Sequence, residues 1–281
     1  MPVRLLLASA SAVLAAAALA VAVPLTAQAA PKASPTVSTG NDVSWPQCAN
    51  KTSVVGPLPK GQAFAVVGVN DGLANGTNPC FAEEWQWAQG SSGTTKQPRS
   101  AVYVNTANPG LAGSWWPTGN FAENDPVAVP VPSDYNGGTC DGTASAACAY
   151  VYGWSKAYDD VHGRGVTTPA GLRWWLDVET GNSWSATDLT ANRADLEAMT
   201  KVFTDAGGSV GVYSTRYQYG RIVGTLASTS PLFALDSWLA GGSSLKGAQS
   251  LCTSAPLTAG SHVTLTQYVS GGFDSDVSCS G

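Results

Sequence analysis

The chain has 281 residues, with 14 lysines and arginines against 19 aspartates and glutamates, so its formal net charge is -5. An acidic chain is a poor candidate for binding nucleic acid or an anionic membrane surface, because both recruit proteins through lysine and arginine. Hydrophobic residues make up 44% and charged residues only 12%, which excludes an intrinsically disordered protein. The chain has two histidines, which argues against a histidine-rich metal site. We therefore expect no metal and no cofactor.

The first 30 residues have the pattern of a secretory signal peptide. Arg4 precedes an apolar stretch at 5–22, and the sequence Ala-Gln-Ala at 27–29 is a small-x-small cleavage site. A membrane anchor is the alternative, because the apolar stretch approaches the length that spans a bilayer. Pro24 and the lack of a following basic stop-transfer residue favour cleavage. The sequence thus predicts a signal peptide over 1–30 and a secreted, extracellular product.

A Pro/Ser/Thr-rich leader, predicted to be disordered, follows at 31–40, and one domain is predicted over 41–281. Its length suits a single barrel, which we expect to be monomeric and free of the membrane after cleavage. Six cysteines in an exported chain indicate disulfides. They allow fifteen pairings, among which the sequence does not choose, and pairing of neighbours along the chain is the working expectation. Those pairs are Cys48–Cys80, Cys140–Cys148 and Cys252–Cys279.

Strand-like runs and helical stripes alternate along the domain. After a first strand that ends near 42–44, apolar runs occur at 64–69, 101–105, 173–178, 210–213, 232–239 and 263–269. Helical spacing of apolar residues occurs at 81–88, 150–161 and 196–206. Such alternation predicts a parallel α/β sheet. Residues 241–261 carry no amphipathic stripe, so we expect loops there. The predicted fold class is α/β, a modified TIM-like barrel of about five β/α units with a β-rich C-terminal part, stapled by disulfides.

The run Trp174-Trp175-Leu176-Asp177-Val178-Glu179 is the most informative segment for chemistry. Alternate side chains of a strand share a face, so Asp177 and Glu179 would project together with Cα atoms about 6.6 Å apart. They lie at the carboxyl end of the strand, where barrel enzymes place their active sites. Two close carboxylates repel each other, so one pKa should rise. A protonated and an anionic carboxyl group are what cleavage of a glycosidic bond requires.

Other acids and aromatics could join this pair. Asp42 ends the first predicted strand, and Asp274 and Asp276 follow the last one, so barrel closure would bring them to one mouth. Tryptophans near loops, where sugar rings commonly stack, include Trp45 and Trp238. The alternative is that these acids are solvated strand ends and that the tryptophans are packing residues.

The order of five short motifs resembles glycoside hydrolase family 25. They are D-V-S-x-x-Q from Asp42, W-L-D-V-E ending at Glu179, V-G-V-Y-S at 210–214, S-W-L-A at 237–240, and T-Q-Y at 266–268 followed by an acidic turn. Typical members are secreted lysozymes (N-acetylmuramidases) with a modified barrel of five β/α units and three further strands. The resemblance spans roughly residues 41–279.

The resemblance implies a role for each matching residue. Glu179 would be the general acid, and Asp177 would stabilise the positively charged intermediate or orient a substrate acetamide. Asp42 would belong to the acidic cluster, and the family's late aspartate falls on either Asp274 or Asp276. The implied substrate-binding residues are Asp274, Asp276, Tyr213, Trp238, Gln267, Tyr268 and Trp45.

Three departures from the family pattern affect the functional prediction. Residues 68–72 read G-V-N-D-G where members usually have K-A-T/S-E-G, 103–106 read Y-V-N-T rather than Y-H-F, and the insertion 110–148 has no counterpart. We predict a secreted glycoside hydrolase that cleaves a cell-wall or other N-acetylated, peptidoglycan-like polysaccharide. The alternatives are a barrel that binds glycan without turnover, and an interaction protein of the cell envelope.

Overall fold

The protein folds into a closed eight-stranded barrel. The structure is a computed structural model that describes residues 39–49 and 55–279. The predicted signal peptide and residues 31–38 of the predicted leader lie outside the described residues. Each strand pairs with the next along the chain, and the last pairs with the first. The predicted TIM-like α/β barrel is thereby confirmed.

Helices follow most of the strands. The strands are β1 (Thr39–Val43), β2 (Ala65–Gly68), β3 (Ser100–Asn105), β4 (Arg173–Asp177), β5 (Ser209–Ser214), β6 (Asp236–Gly242), β7 (Val263–Ser270) and β8 (Phe273–Ser278). The α-helices are α1 (Phe81–Gln89), α2 (Ala146–His162), α3 (Leu189–Asp205), α4 (Arg216–Ile222) and α5 (Leu245–Leu251). None of these described helices is long and apolar enough to cross a bilayer.

The eighth strand distinguishes this barrel from a regular TIM barrel. Strands β1 to β7 run parallel to one another, whereas β8 is antiparallel to both β7 and β1. A two-residue turn, with Gly271 and Gly272 at positive φ, connects β7 to β8. The amino end of β8 therefore lies at the rim where the parallel strands end.

Several predicted boundaries were wrong. Thr39 and Gly40 belong to β1 rather than to the leader, and β6 begins at Asp236 because residues 231–234 form a turn. Residues 273–278, read as an acidic turn, form β8. The expected loop at 241–261 contains α5, which is capped by Ser244. Its seven residues bury a single side chain, so there was no stripe to detect.

The barrel has an inner and an outer apolar layer, and β4 contributes to both. Trp174 and Leu176 pack outward against the helices, where Trp174 stacks on Phe203 with ring centroids 4.3 Å apart. Trp175 points inward and meets Trp238 edge-on at 5.7 Å. The predicted alternation of faces along this strand is therefore observed. The inward tryptophans fill the barrel beneath its rim.

Three disulfides join the expected neighbours. The bridges are Cys48–Cys80, Cys140–Cys148 and Cys252–Cys279. The first ties the segment after β1 to the start of α1, and the third ties the end of α5 to the end of β8. The second lies in the insertion, whose apolar residues pack against α2 and α3 in a separate cluster. The insertion is thus built onto the helical layer of the barrel.

A substitution at Gly211 tests the inner packing. A Cβ atom at Gly211 would lie 2.3 Å from the Trp175 ring, which two neighbouring strands enclose. We expect Gly211→Ala to lower the free energy of unfolding by about 1–3 kcal/mol, as overpacking does. Gly220→Ala is the control, because Gly220 is exposed on helix α4 and no atom lies within 4 Å of its added Cβ. Urea denaturation should show the control equal to or more stable than wild type, and equal stability of the two variants would contradict this packing.

Candidate active site

The candidate site is a polar cavity at the rim where the parallel strands end. Its volume is about 160 Å³. Strand register brings distant residues together there, because Asp42 pairs with Asp274, and Asp177 lies between Asn105 and Tyr213. The cavity is lined by Asp42, Tyr103, Asp177, Glu179, Tyr213, Trp238, Gln267 and Asp274.

Asp42 is the buried acid at the end of β1. Its Oδ2 accepts a hydrogen bond of 2.9 Å from Gln267 Nε2. The Gln267 Oε1 in turn accepts one of 2.8 Å from the Tyr213 hydroxyl. This pair of bonds fixes both the position of the carboxyl group and the orientation of the glutamine.

Asp177 is buried where β4 ends. Its Oδ2 accepts a hydrogen bond of 2.8 Å from Asn105 Nδ2, whereas its Oδ1 is buried without a protein partner. A buried unpaired oxygen is costly unless another group reaches it. Asp177 therefore has one anchored oxygen and one oxygen that no protein group satisfies.

Glu179 lies two residues beyond β4, in the segment that leaves the rim, and is only partly buried. Gln218 of α4 donates to its Oε1 from Nε2 at 3.2 Å. The same glutamine uses its own Oε1 to accept bonds from the backbone and hydroxyl of Thr180, at 2.7 and 2.9 Å. Glu179 thus stands at the mouth of the cavity, with Asp177 deeper on the same side.

Burial in this cluster changes the acidity of its members. Burial, followed by the charges of Glu179 and Asp42, raises the pKa of Asp177 well above its usual range. Burial and the charge of Asp274 raise the pKa of Asp42 to about 7, and burial raises the pKa of Asp274 itself. At neutral pH the cluster therefore carries fewer negative charges than it has carboxyl groups. The sequence prediction that one pKa of the close pair should rise holds for Asp177.

The two late aspartates occupy different positions on β8. Asp274 lines the cavity. Asp276 is fully buried beneath it, where its Oδ1 accepts a hydrogen bond of 3.1 Å from Trp238 Nε1. Burial, together with the charges of Asp42 and Asp274, raises the pKa of Asp276 well above its usual range. Asp274 is thus the one that a ligand could touch, and Asp276 holds the tryptophan of the cavity floor.

Besides Asp276, two of the predicted substrate-binding residues do not line the cavity. Tyr268 does not line the cavity, because neighbouring residues of a strand face opposite sides and Gln267 takes the inward position. Trp45 lines a different cavity, of about 450 Å³, with Asp71, Leu73, Thr77 and Pro79, because it lies in the turn after β1 rather than on the strand.

Three residues of the site were not predicted. Tyr103 lines the cavity and donates to Ser44 Oγ at 2.7 Å, Asn105 holds Asp177, and Gln218 holds Glu179. Tyr103 and Asn105 lie at alternate positions near the end of β3, so strand periodicity could have revealed them. Gln218 follows a strand end in a helix too short to show a periodic stripe.

One group of possible metal ligands occurs among the described residues, and it lies outside the cavity. It consists of Cys48, Cys80 and Glu84. Both sulfur atoms are joined in a disulfide, so neither is a thiolate that could bind a metal.

Comparison with solved structures shows that the barrel has a lysozyme-like fold. One similar structure is the muramidase from Trichobolus zukalii, with a TM-score of 0.52 and 17% sequence identity over 86% of this chain and 94% of that chain. Another is the bacterial lysozyme from Streptomyces coelicolor, with a TM-score of 0.51 and 16% identity over 88% and 94%. No protein-family model and no curated protein matches the chain. At these identities the likeness is one of fold, and it confirms the divergent lysozyme-like barrel predicted from the motifs.

The acidity of Asp42 predicts how stability depends on pH. Its pKa is about 7 in the folded protein against an ordinary 3.8, so between these values the folded state retains a proton that the unfolded chain has lost. The free energy of unfolding should therefore fall as pH rises from about 4 to 7, by at most about 1.4 kcal/mol per pH unit for one retained proton. Urea denaturation at several pH values should show that the free energy of unfolding falls less steeply with rising pH in Asp42→Asn than in wild type.

Asp134→Asn is the control for this measurement, because Asp134 is exposed in the insertion. It should keep the wild-type dependence on pH. A decline that is identical in wild type and Asp42→Asn would contradict the assignment.

Proposed function

We propose that the protein is a secreted glycoside hydrolase that cleaves a cell-wall or other N-acetylated, peptidoglycan-like polysaccharide. The observation that carries the proposal is the placing of Asp177 and Glu179 on one side of a single rim cavity, with Asp42 and Asp274 beside them. Glycosidic bond cleavage needs a proton for the leaving oxygen and a negative group near the cationic centre. A lysozyme-like barrel that carries a carboxyl pair at its rim meets both needs.

The different burial of the pair suggests a division of labour. Glu179 is the more exposed group at the mouth, so it can reach the glycosidic oxygen and donate a proton to it. Asp177 lies deeper, with Oδ1 unpaired. In the reactive form the single proton of the pair lies on Glu179, so Asp177 is anionic and stabilises the positive charge that develops on the sugar or orients a substrate acetamide.

The remaining lining groups fit the recognition of a polar sugar. Gln267 and Tyr213 form a hydrogen-bonded pair that is already oriented before a ligand enters. Trp238 meets Tyr213 edge-on, with ring centroids 4.5 Å apart, and gives the cavity an aromatic floor. A site of this kind loses little conformational entropy when it binds a ligand.

Extracellular action is part of the proposal. The signal-peptide pattern at 1–30 and three disulfides both suit an oxidising compartment outside the cell. The similar solved structures are a muramidase and a bacterial lysozyme, which supports a cell-wall glycan as the substrate class.

A glycan-binding barrel without turnover is the second candidate. It is favoured by aromatic cavities outside the acidic one. Besides the cavity at Trp45, a recess of about 420 Å³ in the insertion is lined by Trp115, Trp116 and exposed Phe121. Sugar rings could stack on such surfaces whether or not the acids act.

Replacement of Glu179 tests catalysis. We expect Glu179→Gln to lower the release of reducing ends from purified cell walls by at least about 100-fold, because the amide cannot donate the proton to the leaving oxygen. Glu83→Gln, an exposed change on α1, is the matched control and should keep wild-type activity. Equal rates in wild type and Glu179→Gln would remove Glu179 from the mechanism.

Sedimentation with insoluble cell walls separates the two candidates. A hydrolase should bind the walls and release soluble fragments, and Glu179→Gln should bind them without releasing any. If wild type and variant bind equally and neither releases reducing ends from any of a panel of N-acetylated polysaccharides, the protein is a glycan-binding barrel.

A further inference from the structure

A chain of buried polar side chains lies behind the cavity wall, between Asp177 and helix α2. Its near end is Asn105, the last residue of β3. The Nδ2 of Asn105 donates to Asp177 Oδ2 at 2.8 Å, and this is the side-chain hydrogen bond that anchors the Asp177 carboxyl group. Both side chains are buried.

The next member of the chain is Asn70, which is fully buried in the segment after β2. Its Oδ1 accepts a bond of 2.7 Å from the backbone N–H of Asn105. In a parallel ladder that N–H would bond to a carbonyl of the neighbouring strand, but β2 ends at Gly68. The Asn70 side chain therefore extends the ladder and holds Asn105 in strand geometry where its amide meets Asp177.

The far end of the chain is an ion pair at the C-terminal end of α2, between Asp160 in the helix and Arg164 just beyond it. Asp160 Oδ1 accepts a bond of 3.0 Å from Asn70 Nδ2 and one of 2.8 Å from Arg164 Nη1. Arg164 also donates to the carbonyl oxygen of Ala74 at 2.8 Å. Asp160 is completely buried and Arg164 nearly so. Helix α2 thus fixes Asn70 and the loop around it.

The cost of such a chain argues for a specific use. Burying polar and charged groups in a barrel wall is unfavourable, and apolar residues of similar shape often stabilise a protein more. Asn70 and Asn105 are hydrogen-bonded to each other, and the chain that they form ends at the one anchored oxygen of Asp177.

We propose that Asn105 is a positioning residue for Asp177, and that Asn70, held by the Asp160–Arg164 pair, sets the position of Asn105. The inference rests on the proposed function for its kinetic consequence. Asn105 does not line the cavity; it holds the Asp177 carboxyl group in place by donating to Oδ2. Other groups that face Asp177 are the carboxyl groups of Glu179 and Asp42 and the hydroxyls of Tyr103 and Tyr213.

Two variants at Asn105 test the positioning. Asn105→Ala and Asn105→Leu both remove the donor, and leucine keeps the branched shape of asparagine, so at least one variant should fold. We expect each folded variant to lose about 10- to 100-fold in kcat on cell walls, with KM changed by less than about twofold. Asn70→Ala should change kcat in the same direction by a smaller factor.

Asn124→Ala is the matched control. Asn124 Nδ2 also donates to an aspartate, Asp159 Oδ1, at 2.8 Å, but on the exposed surface. It should leave kcat and KM at wild-type values. Loss of kcat in the control equal to that in Asn105→Ala would overturn the proposal.

A second measurement does not require activity. NMR titration of the ¹³C-labelled Asp177 carboxyl group should show a higher pKa in Asn105→Ala than in wild type, because the lost hydrogen bond favoured the anion. If the pKa of Asp177 rises in Asn105→Ala but the wild-type protein hydrolyses no cell-wall polysaccharide, the positioning role of Asn105 is supported and the proposed hydrolase activity is refuted. An unchanged titration in both folded Asn105 variants would overturn the positioning, whatever the activity of wild type.

Discussion

Desolvation of carboxyl groups at one end of a closed barrel is the constraint on which the rest of the structure depends. Several acids from β1, β8 and the end of β4 converge on a space of about 160 Å³. Such a cluster can persist only if most members are neutral or are held by strong donors. Both conditions are met here. Burial raises the pKa of Asp42 and of Asp177, and Gln267 donates a hydrogen bond to Asp42 while Asn105 donates one to Asp177. The donors come from strands on either side of the cluster, so the barrel itself supplies the compensation.

The aromatic interior provides the rigid support for these polar groups. Trp175 and Trp238 meet beneath the cavity, and the indole N–H of Trp238 is used by the buried Asp276. Gly211 leaves the space that the Trp175 ring fills. Because close-packed interiors resist displacement, groups seated on this floor keep their relative positions when a ligand arrives. Rigidity of this kind matters more for catalysis than the mere presence of two carboxyl groups.

Much of this arrangement was predictable from the sequence, and the failures have physical reasons. The alternation of side chains along 174–179 predicted that Asp177 and Glu179 share one side. The alternation of strands and helices predicted the α/β barrel. Strand β8 was missed because its polar residues, Asp274 and Asp276, face inward toward other polar groups, which removes the usual apolar signature. The same periodicity would have separated Gln267 from Tyr268 had it been applied to β7. Strand periodicity would have placed Asn105 on the inner face of β3. Its role as the anchor of Asp177, like that of Gln218 for Glu179, could not be identified, because the partners are distant in sequence and meet only in the folded barrel.

The antiparallel direction of β8 also determines where the chain leaves the barrel. Cys279, the last described residue, lies beside Arg173 and Asp236, which begin parallel strands at the base. Its bridge to Cys252 secures this exit. A fluorophore, affinity tag or solid support attached after Cys279 would therefore lie at the base of the barrel. The acidic cavity at the opposite end would stay accessible to an insoluble polymer.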